Sequence, residues 1–490
     1  MRRSSKYTTR SRARWGCAVI ALLASCSAQL GHHRACESLE QCRAEFGFGA
    51  VCGDDGFCRV IPPHPRCTAS DPPDLLAHPE RHGDDFVVGT IYAPIEPAQV
   101  MLRAAELAFR QANRQGGLDA RPLALLHCDP ETPTGDGLDA IAASADAARY
   151  LADVGIPAIL GPTTSGRALG AFDAVEGRDV LFVSPAATSP QLITADETAP
   201  SDERPGLLWR TVPSDDLQGR VLAADMRGRG VRRLAILHEP GAYGDGLAVL
   251  VEAELEGFAE VESVQYEVGA LGTEVLNLAA HDVDAVLFVS SVLVPDTIGF
   301  LDAASATPAL LATYSGRTIY LADAASHAEL ITGVMPDARS LFPRIRGTRP
   351  AARHDSRPYM ELSTNFVVEF GEDPSIASFT PHSYDAAWLL LYAAAWARAE
   401  GEEPLTGTAL ARGLRHMSSG TSVTVGAAGW PEALAALARA ESLDIEGASG
   451  PLDFDPRTEE LLAPIEVWTL AEHDEEWALT TEYVVQPSPD

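Results

Sequence analysis

Two short stretches carry side chains that could hold a charged small molecule. Ile159-Leu160-Gly161-Pro162-Thr163-Thr164-Ser165-Gly166 and Leu181-Phe182-Val183-Ser184-Pro185-Ala186-Ala187-Thr188 each run from apolar residues into small and hydroxyl-bearing ones. In an open parallel α/β sheet, ligands sit beyond the carboxyl ends of strands. There the following helix offers unpaired N–H groups and about half a positive charge. Two successive turns of this kind describe a pocket for a small anionic or zwitterionic molecule. For Ser165 the simpler role is a helix N-cap, worth about 1 kcal/mol; the neighbouring Thr188 turn argues for a ligand. Signatures of catalysis are missing: the chain has no G-x-S-x-G elbow, H-E-x-x-H pair or P-loop. Gly244-Asp245-Gly246 lacks the third glycine of a dinucleotide fingerprint. No catalysis, cofactor or metal is expected.

The elements that must position these turns follow from apolar runs. Phe86–Ile91, Leu123–His127, Ala158–Leu160 and Val180–Val183 read as strands, with helices at Pro97–Gln115 and Gly137–Asp153 between them. Gly116-Gly117 stops the first helix, because glycine accepts left-handed cap geometry without strain. A similar cycle restarts at Arg233: strands at 234–238, 261–268, 284–290 and 318–321, with a helix at 247–257. Pro381–Ala399 is a long apolar helix, and Asp385 and Arg398 within it favour a protein core over a bilayer. The expected fold is therefore α/β, two successive units with parallel sheets.

Length and composition agree. The chain has 490 residues, enough for two lobes, and 46% hydrophobic content is that of a globular protein. Its formal charge of −32 argues against nucleic acid or anionic lipid as partners. Residues 1–25 look like an address: Arg2, Arg3, Lys6, Arg10, Arg12 and Arg14 precede the apolar stretch Trp15–Ala24, too short to span a bilayer. Removing those six cations leaves −38. Leu23-Ala24-Ser25-Cys26 resembles the lipobox of bacterial lipoproteins, which implies cleavage before Cys26 and its lipidation; an ordinary secretory signal is the alternative. Either places the protein outside the cytoplasm.

Six further cysteines fit an oxidising compartment. Cys36 to Cys58 spans too little hydrophobic sequence to build its own core, so disulfides must hold it. The expected pairs are Cys36–Cys52 and Cys42–Cys58, one of three connectivities, with Cys67–Cys128 tying residues 26–67 to the main body. Zinc is the alternative, but paired C-x-x-C knuckles are absent. Residues 68–84, rich in proline and acid, read as a linker.

A family resemblance rests on motifs in order. Ala104-Ala105-Glu106-Leu107-Ala108 with Ala112-Asn113-Arg114-Gln115-Gly116-Gly117-Leu118 resembles the first helix of type 1 periplasmic binding proteins of the branched-chain amino acid group. Gly161 to Ser165, Ser184 to Pro190, Arg210-Thr211-Val212-Pro213-Ser214-Asp215, Tyr243-Gly244-Asp245-Gly246-Leu247, Tyr384-Asp385-Ala386 and Gly450 to Asp455 continue the series. The resemblance implies two Rossmann-like lobes joined by three hinge crossings, near Thr211, near Gly333 to Pro343 and near Pro451 to Pro464. Lobe one is then 84–210 plus 340–452, and lobe two 211–339 plus 453–490. It implies that a ligand carboxylate meets Ser165 and backbone N–H groups around Ala186, Ala187 and Thr188. Tyr243 would pack over the ligand, or be a core tyrosine at a strand end; Tyr92 is a further candidate lining. The sequence departs from the family at two places. The acid expected after a lobe-two strand aligns with an alanine of Tyr320-Leu321-Ala322-Asp323-Ala324, Asp323 being one step away, and Ser290-Ser291-Val292-Leu293 replaces a glycine-tyrosine turn. The implied function is a lipid-anchored solute-binding protein that hands an amino acid or similar small solute to an ABC-type membrane permease. A surface interaction or sensory lipoprotein with a degenerate pocket is the alternative.

Overall fold

Glycine and burial set the frame of the first unit. The strand Phe86–Ile91 is buried along its whole length, and the helix Ala98–Arg114 buries Val100, Ala104, Leu107, Ala108 and Gln111. That helix ends where Gly117 turns back at φ +69°, a position where a Cβ would lie 2.1 Å from the Arg121 carbonyl oxygen. The structure is a computed structural model that describes residues 34–487 apart from 197–198, 268, 293–295 and 475. The expected signal segment 1–25 and the expected lipidation site Cys26 lie outside the described residues.

In chain order the strands are β1 (Ala50–Cys52), β2 (Cys58–Val60), β3 (Ala69–Asp71), β4 (Phe86–Ile91), β5 (Leu123–Cys128), β6 (Ala158–Leu160), β7 (Leu181–Ser184), β8 (Leu208–Arg210), β9 (Arg233–His238), β10 (Glu260–Gln265), β11 (Ala285–Val289), β12 (Thr318–Leu321), β13 (Ile345–Pro350), β14 (Thr421–Thr424), β15 (Leu443–Glu446), β16 (Ile465–His473) and β17 (Glu476–Val485). One sheet has the order β3-β5-β4-β6-β7-β8, parallel except for β3 at its edge. The other has the order β10-β9-β11-β12-β13-β16-β17, parallel through β13 and closed by the antiparallel hairpin β16–β17. Helices cover both faces of each sheet, so each unit has two apolar layers; the largest is built around the buried helix Thr380–Ala399. No helix of the described residues is long and apolar enough to cross a membrane. The expected α/β architecture with parallel-rich sheets in two lobes is observed.

Two of the three expected crossings shift. The first crossing follows β8 at Thr211, whose hydroxyl donates to the His382 carbonyl (2.8 Å). The second lies after Pro350 instead of within 333–343, because β13 pairs with β12 and β16 in the second sheet; residues 340–350 therefore belong to lobe two. The third reaches Ile465: residues 453–464 stay with lobe one, Leu461 in its core and Glu459 accepting from the Gly206 N–H (2.8 Å). Residues 68–84 are more than a linker, since β3 adds an edge strand to the first sheet and Leu75 is fully buried.

The N-terminal module has the expected disulfides Cys36–Cys52, Cys42–Cys58 and Cys67–Cys128. Its own core is four buried residues, three of them half-cystines. Docking adds to it: the buried Arg43 guanidinium donates to the carbonyls of Val154 (2.8 Å) and Gly155 (3.2 Å), at the end of the helix Ala140–Asp153. Burial lowers the Arg43 pKa to about 10, which leaves it charged at neutral pH.

Candidate functional site

Each sheet has one point where the chain's winding reverses, between β4 and β6 in the first and between β9 and β11 in the second. Crevices open at the carboxyl ends of strands at such points. The residues after β4, β6 and β7 of one sheet and after β9, β11 and β12 of the other enclose a shared cavity of about 550 Å³. Ala93, Ile95, Met101 and Phe379 form an apolar wall, and Thr163, Thr164, Ser165 and Arg167 a polar one from the same lobe. Tyr243, Ser291, Asp323, Ser326 and His327 face them from the second lobe.

The polar wall is built by two turns locked together. Ser165 opens the helix Ser165–Asp173; its Oγ accepts from the Ser189 N–H (3.1 Å), and its hydroxyl proton remains able to donate. The helix has no side-chain cap at Thr164, so its first-turn N–H groups are not consumed by one. Ser184 completes the lock, donating to the Pro162 carbonyl (2.6 Å) and accepting from the Ala187 N–H (3.1 Å). Arg210, 1% exposed, donates from Nη1 to the carbonyls of Thr188 (2.7 Å) and Ser189 (3.0 Å), while its Nε reaches Glu460 (2.7 Å). A guanidinium at the first hinge crossing thus sets the second turn.

On the opposite lobe the Tyr243 hydroxyl donates to Asp323 Oδ1, which also accepts from the Ala324 N–H (3.0 Å). Asp215, at the start of the helix Asp215–Gly228, accepts from the Thr188 hydroxyl (3.0 Å). Among the described residues, Asp215 Oδ1 and both amide atoms of Gln218 are buried without a hydrogen-bond partner. Desolvation raises the pKa of both aspartates, Asp215 furthest, where the charge of Asp323 adds to it. Burial and these two carboxylates push the Tyr243 phenol upward, so it stays a donor. The cavity therefore has a hydroxyl-rich end at a helix N-terminus and an end backed by two carboxylates.

Of the residues expected from the sequence, Ser165, Ala186, Tyr243 and Asp323 border the cavity. Ala187 and Thr188 lie behind its wall, with the Ala187 N–H on Ser184 and the Thr188 hydroxyl on Asp215. Tyr92 is buried, and its hydroxyl meets Ser383 Oγ (2.9 Å); the next residue, Ala93, reaches the cavity instead. Ser291 and Val292, in the turn that departs from the family, border it too, held by Glu239, whose carboxylate accepts from the Ser291 N–H (2.9 Å) and hydroxyl (3.1 Å). Asp215, Gln218, Arg210 and His327 were not assigned roles from sequence. Arg210 and Asp215 alone had a signal, standing at the two ends of the Arg210–Asp215 motif. The sulfurs of Cys36, Cys42 and Cys52 lie close enough to hold a metal, but all three are in disulfides and offer no thiolate.

The profile of a family described as periplasmic binding protein matches residues 91–472. A chemotactic signal transduction system substrate-binding protein of Halobacterium salinarum, BasB, is 28% identical over 360 residues, which cover 72% of this chain and 78% of that protein. The Leu/Ile/Val-binding protein BraC3 of Rhizobium johnstonii is 31% identical over 160 residues, 32% of this chain and 40% of that relative. Among solved structures, an ABC transporter solute binding protein from R. palustris in complex with 4-hydroxybenzoate aligns with a TM-score of 0.64 at 14% identity, covering 83% of this chain and 98% of that one. The branched-chain amino acid transporter substrate binding protein LivJ from Streptococcus pneumoniae, in complex with isoleucine, gives 0.60 at 16% identity and covers 82% and 100%. The structural likenesses show the fold.

Proposed function

The chain belongs to the periplasmic binding protein family, and on that premise we propose that it captures an amino acid or similar small zwitterion between its lobes. One observation carries this reading: the two ends of a single cavity have opposite electrostatic character and come from opposite lobes. Ser165 and its helix N-terminus suit a carboxylate. Tyr243 and Asp323, backed by Asp215, suit an ammonium. A zwitterion bridging them favours the closed arrangement over the open one, and only that difference in affinity moves the equilibrium. Residues 1–25 act as a lipoprotein signal and Cys26 as the anchor, and the loaded protein delivers its solute to an ABC-type permease.

Thermal-shift screening with amino acids and small acids tests the reading. A ligand at a hundred times its Kd stabilises the native state by about 2.7 kcal/mol. Ser165→Ala and Asp323→Ala should each then weaken binding tenfold or more, the loss of one charge-assisted hydrogen bond of about 1.5–3 kcal/mol. A panel with no stabilising member, or full affinity in both variants, defeats it.

The similarity to BasB, which spans most of both chains, favours a second reading in which the loaded protein reports to a receptor. Deleting the gene separates the two: loss of solute uptake supports delivery, whereas intact uptake with a lost behavioural response supports sensing.

A further inference from the structure

Two contacts join the lobes beside the cavity, and neither uses a group assigned to the solute. At the first, the Ser189 hydroxyl of lobe one donates to the Ala242 carbonyl of lobe two (2.8 Å). The Ser189 N–H is bonded to Ser165 Oγ, so this contact abuts the polar wall. Gly246, in the helix Gly244–Leu255, approaches the same turn: a Cβ there would lie 3.4 Å from Ser189 Oγ and 3.9 Å from Pro190 Cδ. At the second, the Ser378 hydroxyl of lobe one donates to the Ser326 carbonyl of lobe two (2.5 Å), and Ala377 forms a backbone bridge with His327. Ser326 is held in its own lobe by Arg349, whose Nη1 donates to its hydroxyl (2.7 Å).

These residues lie away from the crossings at Thr211, after Pro350 and at Ile465, so the contacts exist only while the lobes are together. Opening the cleft must break them. The solute's carboxylate is assigned to Ser165 and its helix N-terminus, and its ammonium to Tyr243 and Asp323. The Ser189 and Ser378 hydroxyls and the Ala242 and Ser326 carbonyls are spent on each other. Their bonds therefore favour closure whether the cavity is empty or full. Net of competing bonds to water, each should shift the closed-to-open ratio about three- to tenfold.

We propose that the two contacts are latches that hold the cleft closed without solute, so that the empty chain already populates the arrangement described above. Affinity seen from solution scales with the fraction of the chain in the binding-competent form, so the latches tighten capture without touching the solute. Release then requires the Ser189–Ala242 and Ser326–Ser378 contacts to break. The inference goes beyond solute capture and holds for any occupant of the cavity.

Small-angle X-ray scattering of the mature chain without solute tests it. The unmodified chain should scatter as the closed arrangement does. Gly246→Leu should wedge the first contact and raise the radius of gyration, in a helix that leucine suits better than glycine. Ser189→Ala combined with Ser378→Ala should shift the radius the same way. Solute-free scattering from the unmodified chain that fits separated lobes overturns the proposal, and so does a radius unchanged in both variants. Circular dichroism checks that each variant is folded; should Gly246→Leu fail to fold, the serine pair decides. With no solute in the experiment, loss of the latches leaves amino-acid capture standing, and failure of amino acids to bind leaves the latches standing.

Discussion

Asp215 and Asp323 share a buried environment, and each carboxylate makes the other's ionisation harder. An acid whose pKa is raised in the empty cleft keeps its proton to higher pH than it would in water. An ammonium placed beside the pair favours the ionised form and lowers that pKa again. Binding must therefore expel protons, and by linkage affinity must rise with pH across the raised titration and level off above it. Titration calorimetry in two buffers of different ionisation enthalpy should show net proton release. Asp215→Asn should reduce that release, and proton uptake on binding would contradict the assignment. At this scale the sequence was partly legible. Ser165 could be named because a hydroxyl stands at a strand end, whereas Tyr243 and Asp323 were named through the family resemblance. The role of Thr188 depends on Asp215, 27 residues away across a hinge crossing, so nothing local in the sequence marks it. His327 reads in sequence like any lone histidine; only the bridge to Ala377 and the bond from Glu329 fix its tautomer and place.

At the scale of elements, Gly161 decides where the Ser165 turn lies. It ends β6 at φ +89°, and a Cβ there would come within 2.7 Å of the Ile91 carbonyl oxygen and 3.3 Å of the Tyr92 ring. Both neighbours follow or end β4, so the close approach of two strand ends at the winding reversal requires a residue without a side chain. Gly161→Ala should cost at least about 1–2 kcal/mol from the left-handed backbone, and more as Ile91 is displaced. Ligand affinity should fall too, since the displaced turn carries Thr163, Thr164 and Ser165. Chemical denaturation and calorimetry on the same variant check both; a variant as stable as its parent with full affinity contradicts the role. Parallel strands such as β4, β6, β9 and β11 were legible because burial on both faces demands apolar runs. β13 was not: it reads Ile345-Arg346-Gly347-Thr348-Arg349-Pro350, a polar string whose arginines are neutralised by distant acids. Arg346 pairs with Asp225 (2.8 Å) and Arg349 with Glu466. Missing that strand is what displaced the second crossing by about ten residues.

At the scale of the whole molecule, the N-terminal module and the cleft occupy opposite ends of the first sheet. Arg43 grips Val154 and Gly155, which lead into the amino end of β6, whereas Thr163 to Ser165 follow its carboxyl end. The module is therefore a brace on one lobe, docked at the end of the sheet away from the cleft. The Cys67–Cys128 link, closing a separation of 61 residues, fastens the start of β3 to the end of β5 and so restrains the unfolded chain over a long loop. Replacing both cysteines with serine should lower global stability by about 4 kcal/mol in the chain-entropy account. The same account gives no reason for the native cleft to change, because cavity residues are held by Ser165, Ser184 and Arg210 without help from the disulfide. Melting temperature should thus fall while the Kd for the solute at 25 °C stays within about twofold, a change of under ~0.5 kcal/mol. Calorimetric melting and ligand titration of one preparation measure the two quantities together. If affinity drops in proportion to stability, the brace reaches the cleft after all, and the two lobes cannot be treated as bodies that hinge independently of the module.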